Sequence, residues 1–163
     1  MRLKKQAKGS GSVSVCIFIA SDIPLKEFTP SQKYSLAIDI DKGTVDDGGA
    51  DDNFFLSPFS DVEEYTDKKY GVCLEWNYTE GRAYRIINYI KNVLQKTDKV
   101  EFWYVWLGGY HEYEDRPVVH RSYVAMSELT PAHIKEINDA EIFNTPDKKY
   151  PQRPSFYCLT ITK

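Results

Sequence analysis

The chain has 163 residues, of which 42% are hydrophobic and 28% charged, and its formal net charge is −3. This length fits one domain with a substantial core. The negative balance argues against nucleic acid or an anionic membrane as a partner, and no apolar run approaches the roughly 18–20 residues that a membrane span requires. The unusual feature is an aromatic content of 14%, with 12 Tyr and 3 Trp, because these residues favour surfaces that are partly apolar and partly wet.

The start of the chain is basic and rich in Gly and Ser. It predicts a disordered tail over residues 1–12 that precedes a single α+β domain over residues 13–163. The apolar stretch Val13–Ala20 predicts a first strand that is buried on both faces. Because this stretch is short and rich in β-branched residues, it does not fit the apolar region of a secretory signal.

The cysteines are three in number and have no paired spacing. They are Cys16, Cys73 and Cys158, and each lies in an apolar, strand-like stretch. A free Cys in such a stretch behaves as a small buried hydrophobic residue. An odd number of cysteines without a disulfide framework favours the reducing cytoplasm as the location of this protein.

The segment before residue 54 combines an alternating stretch with an acidic one. Polar and apolar residues alternate over Tyr34–Ile40, which predicts a half-buried strand. Asp41–Asn53 then contains five Asp and three Gly, so it cannot bury enough apolar surface to offset ordering, and we expect a mobile, solvated loop. A calcium loop of the EF-hand type requires Gly at its sixth and Glu at its twelfth position, and neither is present in a register that starts at Asp39.

The clearest pattern is a strand, a helix and a strand in the middle of the chain. Tyr70–Trp76 is strand-like, Thr79 is a suitable N-cap for a helix over residues 80–96, and Val100–Leu107 is a second strand of β-branched and aromatic residues. Short connections predict a right-handed βαβ unit with two parallel strands in one sheet. Arg82 is assigned to the polar side of the helix. The apolar stripe of this helix consists of Ala83, Ile86, Ile87, Ile90, Val93 and Leu94.

The last third of the chain supplies the remaining elements. Val118–Ala125 is expected to be an antiparallel neighbour of the strand over residues 100–107. Thr130 and Pro131 provide an N-cap and a first-turn proline for a short helix over residues 131–139, and Ser155–Thr162 is the last strand. The predicted fold is therefore α+β, with a single mixed sheet of five or six strands, one long amphipathic helix packed on it and a short second helix.

The strand over residues 100–107 is apolar on both faces. One face carries Trp103, Val105 and Leu107, and the other carries Phe102, Tyr104 and Trp106. The long helix is expected to cover one face directly. For the face of Phe102, Tyr104 and Trp106 two possibilities remain open: the short second helix covers it, or this face meets a partner.

The loop that follows this strand carries the candidate chemistry. Ligand sites in sheets with parallel strands tend to lie at the C-terminal ends of the strands. Here His111 lies beside Glu112 and Asp115, so it would suit a general base that a carboxylate holds in one tautomer. His111 and His120 on facing hairpin arms would also allow two metal ligands, but no third ligand is identified and no metal is predicted. The alternative is a charged hairpin tip that keeps the end of the sheet soluble.

Two stretches resemble a group of small uncharacterised bacterial proteins. They are Cys16–Leu25, and the amphipathic helix that leads into Val100–Trp106 and is followed later by Leu129–Pro131. The resemblance extends over part of the chain and implies no assigned activity. In that group a segment rich in Cys and Gly follows the middle strand, whereas residues 70–81 of this chain contain a single Cys. No metal or redox role is therefore carried over.

Composition and pattern favour a non-enzymatic binding or accessory module that contacts a protein partner or a second copy of the chain, as immunity-like proteins do. The candidate contact residues are Phe102, Tyr104, Trp106, Tyr110, His111, Glu112, Asp115 and Arg116. The alternative is a small enzyme or ligand-binding protein with a cleft at the C-terminal end of residues 100–107 that uses His111 and nearby carboxylates. No cofactor is predicted. Nucleic acid is disfavoured because acidic residues surround the aromatic strand and repel phosphate.

Overall fold

The computed structural model describes residues 4–6, 13–107, 116–140 and 155–163. Within these ranges the chain forms nine strands and two α-helices. The strands are β1 (Lys4–Gln6), β2 (Val13–Ser21), β3 (Ala37–Asp39), β4 (Thr44–Asp46), β5 (Phe54–Pro58), β6 (Tyr70–Trp76), β7 (Lys99–Leu107), β8 (Val119–Ala125) and β9 (Phe156–Thr162). The helices are α1 (Glu80–Val93) and α2 (Pro131–Asn138), and short 3-10 turns cover Ser60–Glu64 and Met126–Glu128.

Six strands form the main sheet in the order β5-β6-β2-β7-β9-β8. Its pairs are antiparallel except for β8 and β9, which are parallel, so the sheet is mixed and the predicted α+β class is confirmed. β1 pairs with the first residues of β2; the sequence had predicted no strand there. β3, which lies within the predicted strand over Tyr34–Ile40, pairs with β4 in a separate two-stranded antiparallel sheet; β4 and this second sheet were not predicted.

The two parallel strands of the central βαβ unit, β6 and β7, are not adjacent, because β2 lies between them in the sheet. Both β6 and β7 pair antiparallel with β2, so they run parallel to each other on either side of β2, and α1 connects them. β2 takes this position because it is apolar on both faces: Phe18 and Ile19, which point to opposite sides, are both 0% exposed. Thr79 caps α1 as predicted, since its side-chain oxygen accepts a hydrogen bond from the backbone N–H of Arg82.

The expected pairing of Val118–Ala125 with the aromatic strand is wrong. β9 lies between β7 and β8, and Cys158 is the register partner of Trp103 on one side and of Arg121 on the other. Strand β9 is buried on both faces and takes the interior position, whereas β8 is exposed over residues 121–123 and forms the edge. His120 therefore lies on a strand that pairs with β9 and not with β7, and the other predicted metal ligand, His111, lies outside the described residues.

The sheet has a core on each side. On one side α1 and α2 pack against Phe102, Tyr104 and neighbouring residues. On the other side Trp103 and Val105 pack with residues from the 3-10 segment after β5 and with β2 and β9. Phe18 stacks on Trp103 there, with ring centroids 5.8 Å apart. The aromatic strand β7 is thus covered on both faces, and both helices lie on the same side. None of the helices in the described ranges is long and apolar enough to cross a membrane.

Candidate functional site

The predicted aromatic contact face belongs to the core. Phe102 and Tyr104 are 0% and 2% exposed, and they share a cluster with Ile90 of α1 and Ile134 of α2. Trp106 is half-buried at the margin of this cluster. The second helix does cover this face, because Ile134 and Ile137 are buried against it. The long helix α1 packs on this same face, so the expectation that it covers the face of Trp103 and Val105 is wrong; residues of the 3-10 turn after β5 lie there instead. Phe102 and Tyr104 are consequently not accessible to a partner.

The predicted loop site lies mostly outside the described residues. This applies to Tyr110, His111, Glu112 and Asp115, so their proposed binding role and the enzymatic alternative built on His111 stay predictions. Arg116 is described and exposed, and its Nη1 donates a long hydrogen bond of 3.5 Å to the backbone oxygen of Glu64. The arginine therefore packs along the 3-10 turn that precedes β6.

The Asp-rich segment is largely exposed, as its composition predicts, but it contains the strand β4 and is bound to the rest of the fold by contacts that composition does not predict. Arg82 of α1 is 0% exposed, and its Nη1 and Nη2 donate to Oδ2 and Oδ1 of Asp47 at 2.8 and 3.0 Å. The same guanidinium donates from Nε to the backbone oxygen of Ala50 and from Nη1 to that of Asn77, both at 2.8 Å. One buried side chain thus ties the segment to the beginning of α1, and Arg82 does not lie on a solvated helix face.

The carboxylate of Asp47 receives donors from several directions. Besides Arg82, the side chain of Asn77 donates to it at 3.2 Å and the backbone N–H of Gly49 at 3.0 Å. These hydrogen bonds, above all those from Arg82, hold the pKa of Asp47 well below its usual value. Gly48 and Gly49 both have positive φ, 80° and 69°, a conformation that glycine adopts without strain. The turn after β4 is therefore built to place Asp47 against Arg82.

A second anchor fixes the other end of the segment. Oδ2 of Asp52 accepts from the backbone N–H and the hydroxyl of Ser31, at 3.3 and 2.8 Å, and Oδ1 accepts from the hydroxyl of Tyr34. These donors lower the pKa of Asp52 to about 2, with the Tyr34 hydrogen bond as the largest cause. Because the residues before β3 and those after β4 are joined in this way, the β3–β4 hairpin is closed at its base.

The hairpin between these anchors exposes apolar side chains. Tyr34–Ile40 does alternate, but the strand is not half-buried as predicted. Ile38 lies directly opposite Val45 in the ladder. The four aliphatic residues are Leu36, Ile38, Ile40 and Val45, and they are 53%, 67%, 87% and 61% exposed. As register partners, Ile38 and Val45 point to the same side of the two-stranded sheet, while Leu36 precedes β3 and Ile40 lies in the turn after it. This group of four is called the aliphatic face below.

The hairpin segment is rich in carboxylates. Residues 34–53 contain six Asp and a single Lys, and the amine of Lys42 lies 3.7 Å from Asp39 in an exposed pair. Asp41 and Asp46 are exposed, and Oδ1 of Asp46 accepts from the backbone N–H of Gly48. By the register of β3 and β4, Asp39 and Asp46 point to the side of the hairpin opposite to Ile38 and Val45.

A buried polar cluster lies on the other side of the sheet. Glu101 is 7% exposed, and its Oε2 accepts from the hydroxyl of Thr66 at 2.6 Å and from the indole N–H of Trp103 at 2.7 Å. Nearby, the amine of Lys68 binds Asp22 at 2.9 Å. These contacts join the segment after the 3-10 turn to β7 and β2. The arrangement satisfies its own hydrogen bonds and stabilises the fold.

A cleft of about 530 Å³ opens beside the ends of β5 and β6. Its walls include Pro24, Leu25, Phe59 and Tyr70, with Glu27 and Lys69 as the charged residues. It is separate from the hairpin and from the C-terminal end of β7. One acidic and one basic side chain at a mostly apolar cleft do not define a reaction type.

The three cysteines are free and buried, as expected. The sulfur atoms of Cys16 and Cys73 lie 3.1 Å apart, a contact that the sequence spacing does not indicate. Their hydrogen bond, together with burial, raises the pKa of Cys16, and burial raises the pKa of Cys158 to about 12. Within the described part of the chain, no three His, Cys, Asp or Glu side chains are grouped as a metal site requires.

Sequence reasoning missed both Arg82 and the aliphatic face. Alternation over Tyr34–Ile40 shows which side chains share a side of the strand, but not whether that side is covered. Arg82 lies next to exposed polar positions in the helical pattern, and its partner Asp47 is 35 residues earlier in the chain. No local spacing signals such a pair.

Comparison with known proteins yields no relative. No protein-family model, no curated protein and no solved structure matches this chain. The resemblance to small uncharacterised bacterial proteins therefore stays a prediction, and the function has to be argued from the geometry of the chain itself.

Proposed function

We propose that this protein is a non-enzymatic binding module that contacts a protein partner through the aliphatic face of the β3–β4 hairpin. One observation carries the proposal: Ile38 and Val45 lie opposite each other on one side of a hairpin whose base is anchored, and with Leu36 and Ile40 next to them in the chain they are between 53% and 87% exposed. Scattered apolar residues on a surface need no explanation, whereas a contiguous apolar patch is typical of interaction sites. The hairpin replaces the buried side chains of Phe102 and Tyr104 as the proposed contact surface.

The anchoring supports a binding role because it fixes the surface in advance. Arg82 holds the turn after β4 through Asp47 and Ala50, and Asp52 closes the base through Ser31. A surface that is already ordered loses less conformational entropy when a partner binds. A hairpin that served only as a connection would not require a buried arginine to position it.

The aliphatic face can supply the centre of an interface. Burying a fully exposed Val, Leu or Ile side chain gains about 1.5–3 kcal/mol, so four side chains exposed by 53–87% would gain roughly 4–8 kcal/mol. Association itself costs about 4–15 kcal/mol in lost freedom of motion. The aliphatic face alone therefore approximately offsets the cost of association, and polar contacts at its margin have to supply the net affinity.

The free and buried cysteines support the proposed location in a reducing cytoplasm, where thiols stay unoxidised. The partner is proposed to be found in the same compartment. The described residues provide no argument that favours the enzymatic alternative over the binding module.

The test is a search for a partner whose binding depends on the hairpin. The full chain is used to capture proteins from the native host, and the captured protein is identified, purified and titrated by calorimetry. The double variant Ile38→Ser/Val45→Thr should weaken binding by at least about tenfold, which corresponds to about 1.4 kcal/mol. Because both side chains are exposed, the stability of the fold should change by less than about 0.5 kcal/mol.

A matched control uses an exposed aromatic residue elsewhere. Tyr123 is 71% exposed on the edge strand β8, and Tyr123→Ser should leave the affinity unchanged. If the purified partner binds the Ile38→Ser/Val45→Thr variant as tightly as the native chain, or if no captured protein depends on these residues, the proposal is wrong.

A further inference from the structure

We propose that Cys16 and Cys73 are a redox-active thiol pair, which hydrogen peroxide converts into a disulfide between β2 and β6 and which a small dithiol restores. The pair lies in the core on the side of the sheet away from the two helices. It is separate from the β3–β4 hairpin, so the proposal does not depend on the proposed binding function.

The two thiols belong to neighbouring strands and face the same side of the sheet. Cys73 is the register partner of Phe18, and Cys16 lies two residues before Phe18, so alternation turns both sulfur atoms to one side. The two Sγ atoms lie 3.1 Å apart, which is about 1 Å longer than a disulfide bond. The sheet thus brings together two thiols that are 57 positions apart in the chain.

The third cysteine has no comparable neighbour. Cys158 lies on β9, with β7 between it and β2, so it is separated from Cys16 by two strand spacings, roughly 9–10 Å. Its sulfur contacts Oγ1 of Thr160 at 3.9 Å. Cys158 is as deeply buried as the other two, which makes it the internal control for burial without a partner thiol.

The contact between the pair also makes the two thiols unequal. The hydrogen bond with Cys16 lowers the pKa of Cys73, against the opposing effect of burial, and the same hydrogen bond raises the pKa of Cys16. The thiolate is the form that attacks an oxidant. Cys73 is therefore the attacking residue, and Cys16 is the residue that resolves the first product.

An unpaired hydroxyl lies beside the attacking cysteine. Ser57 on the edge strand β5 is the register partner of Cys73, so its side chain points to the same side of the sheet. In the described part of the chain its Oγ is buried and has no hydrogen-bond partner. A buried polar group without a partner requires an explanation, and here the hydroxyl can donate to an oxygen atom that is bound to the sulfur of Cys73.

The reaction proceeds in two balanced steps. The thiolate of Cys73 attacks one peroxide oxygen, the O–O bond breaks, and hydroxide leaves and takes up the thiol proton as water, so that Cys73 becomes a sulfenic acid. The sulfur of Cys16 then attacks this sulfur, the S–S bond forms, the S–O bond breaks, and the oxygen leaves as a second water. Two thiols lose two electrons in total, and one peroxide is reduced to two waters.

The register favours a reversible bond over a permanent one. Cys16 and Cys73 are diagonal neighbours across the ladder, and diagonal neighbours lie at the long end of the separation that a disulfide spans. Closing the bond therefore draws β2 and β6 together. A disulfide that strains its surroundings is reduced more readily than a structural one, so dithiothreitol should reopen it by exchange and leave as its own cyclic disulfide.

The test exposes the folded native chain to an excess of hydrogen peroxide. Catalase then removes the oxidant, the remaining thiols are alkylated in urea, and peptide mass spectrometry identifies the modified and linked cysteines. Three thiols should be free before treatment and one, Cys158, afterwards. The peptides of Cys16 and Cys73 should be linked within a monomer, with the mass of two hydrogen atoms lost, and dithiothreitol should restore all three thiols.

Three variants assign the roles. Cys158→Ala is the matched control and should form the disulfide at the native rate. In Cys16→Ala, Cys73 should stop at the sulfenic acid, which dimedone labels when the chain is unfolded in urea. In Cys73→Ala, oxidation of the two remaining thiols should be at least tenfold slower. The native chain carries the test by itself if a core variant does not fold.

Two results would overturn the proposal. Either the folded native chain keeps three free thiols under peroxide, or its new linkage includes Cys158 or a second chain. Failure of dithiothreitol to restore the thiols would show irreversible damage and would overturn the reversible role. A dimedone adduct in Cys73→Ala but not in Cys16→Ala would contradict the order of attack.

Discussion

Arg82 and Asp47 form a two-point ion pair that fixes an acidic turn to the beginning of α1. The two contacts measure 2.8 and 3.0 Å, and the arginine side chain has no exposed surface. Burying two charges is costly, so such a pair is weak evidence for high stability. It does favour one position of the turn, because the buried guanidinium needs hydrogen-bond acceptors and finds them in Asp47 and the backbone oxygen of Ala50. The side chain of Arg82 is 0% exposed and that of Asp47 is 13% exposed, and the first prediction follows from this difference.

Removing either partner should have unequal costs. Asp47→Ala leaves the guanidinium of Arg82 buried without its counter-charge and should destabilise the fold by about 3–5 kcal/mol. Arg82→Met should cost less, about 1–3 kcal/mol, because Asp47 can turn toward water when the loop detaches. Urea unfolding measures both values, and hydrogen exchange over residues 44–53 should rise in Arg82→Met while exchange in β2 and β7 does not.

Arg85 provides the matched control for this pair of variants. It lies on the same helix but is exposed, so Arg85→Met should change the free energy of unfolding by less than about 0.5 kcal/mol. Equal losses for Asp47→Ala and Arg82→Met would contradict the argument from exposure. Unchanged exchange over residues 44–53 in Arg82→Met would show that the arginine does not hold the turn.

Stability should fall in acid because of Asp47 and Asp52. Folding lowers the pKa of both carboxyls below their usual 3.8, to about 2 for Asp52. A group with a lowered pKa contributes stability that is complete above its unfolded value and is lost as the pH falls through the folded value. The contribution of these groups should therefore be constant from about pH 7 to 5 and decline below about pH 4.

Urea unfolding between pH 7 and pH 2 tests this dependence. Asp52→Asn cannot bind the proton, so the decline below pH 4 should be smaller in that variant than in the native chain. Asp41 is exposed, and Asp41→Asn serves as the control that changes the net charge equally. The same acid slope in Asp52→Asn and in the native chain would show that this carboxyl does not couple to folding.

The parts of the fold that were predictable have local causes. The core-facing side of α1, its Thr79 cap and the parallel β6 and β7 strands follow from periodicity and capping chemistry within about 40 residues of chain. The position of β9 between β7 and β8 depends on a competition in which the strand with two apolar faces takes the interior place. That competition involves residues far apart in sequence, and no single segment reveals its outcome.

The candidate site was less predictable than the fold, for the same reason. An Asp-rich segment considered by itself is expected to be mobile, and the contacts that hold it, from Arg82 to Asp47 and from Ser31 and Tyr34 to Asp52, come from distant parts of the chain. The aliphatic face differs from its prediction in the opposite direction, because residues expected to be half-buried are exposed. Ile38 has the sequence pattern of a half-buried strand residue, and only the three-dimensional arrangement shows that it remains exposed. Its exposure, together with that of Val45, is the observation on which the proposed binding role rests.

The buried carboxylate of Glu101 makes a third prediction. Glu101→Leu leaves the indole N–H of Trp103 and the hydroxyl of Thr66 without their acceptor and should cost about 1–3 kcal/mol for each donor that stays buried. In a Thr66→Val background the same change should cost about 1 kcal/mol less, because one donor is already absent. Urea unfolding of the four chains gives this coupling energy, and strict additivity would show that the Thr66 hydrogen bond contributes nothing.

Two glycines should respond in opposite ways to alanine. A Cβ on Gly81 would meet Oδ1 of Asp51 at 2.0 Å, but this is the end of an exposed side chain that can rotate away. The gain in helix propensity, up to about 1 kcal/mol, should then make Gly81→Ala neutral or stabilising. A Cβ on Gly71 would lie 3.0 Å from Val62 and 3.3 Å from the backbone oxygen of Phe59.

These neighbours of Gly71 cannot move aside, because Val62 and Phe59 are 2% and 4% exposed in the core on that side of the sheet. Gly71→Ala should therefore cost about 1–3 kcal/mol, the range for overpacking. Thermal and urea unfolding of the two variants provide the comparison, and each serves as the control for the other. A destabilised Gly81→Ala would mean that the contact of Asp51 with the beginning of α1 is a fixed part of the anchor, alongside Arg82 and Asp47.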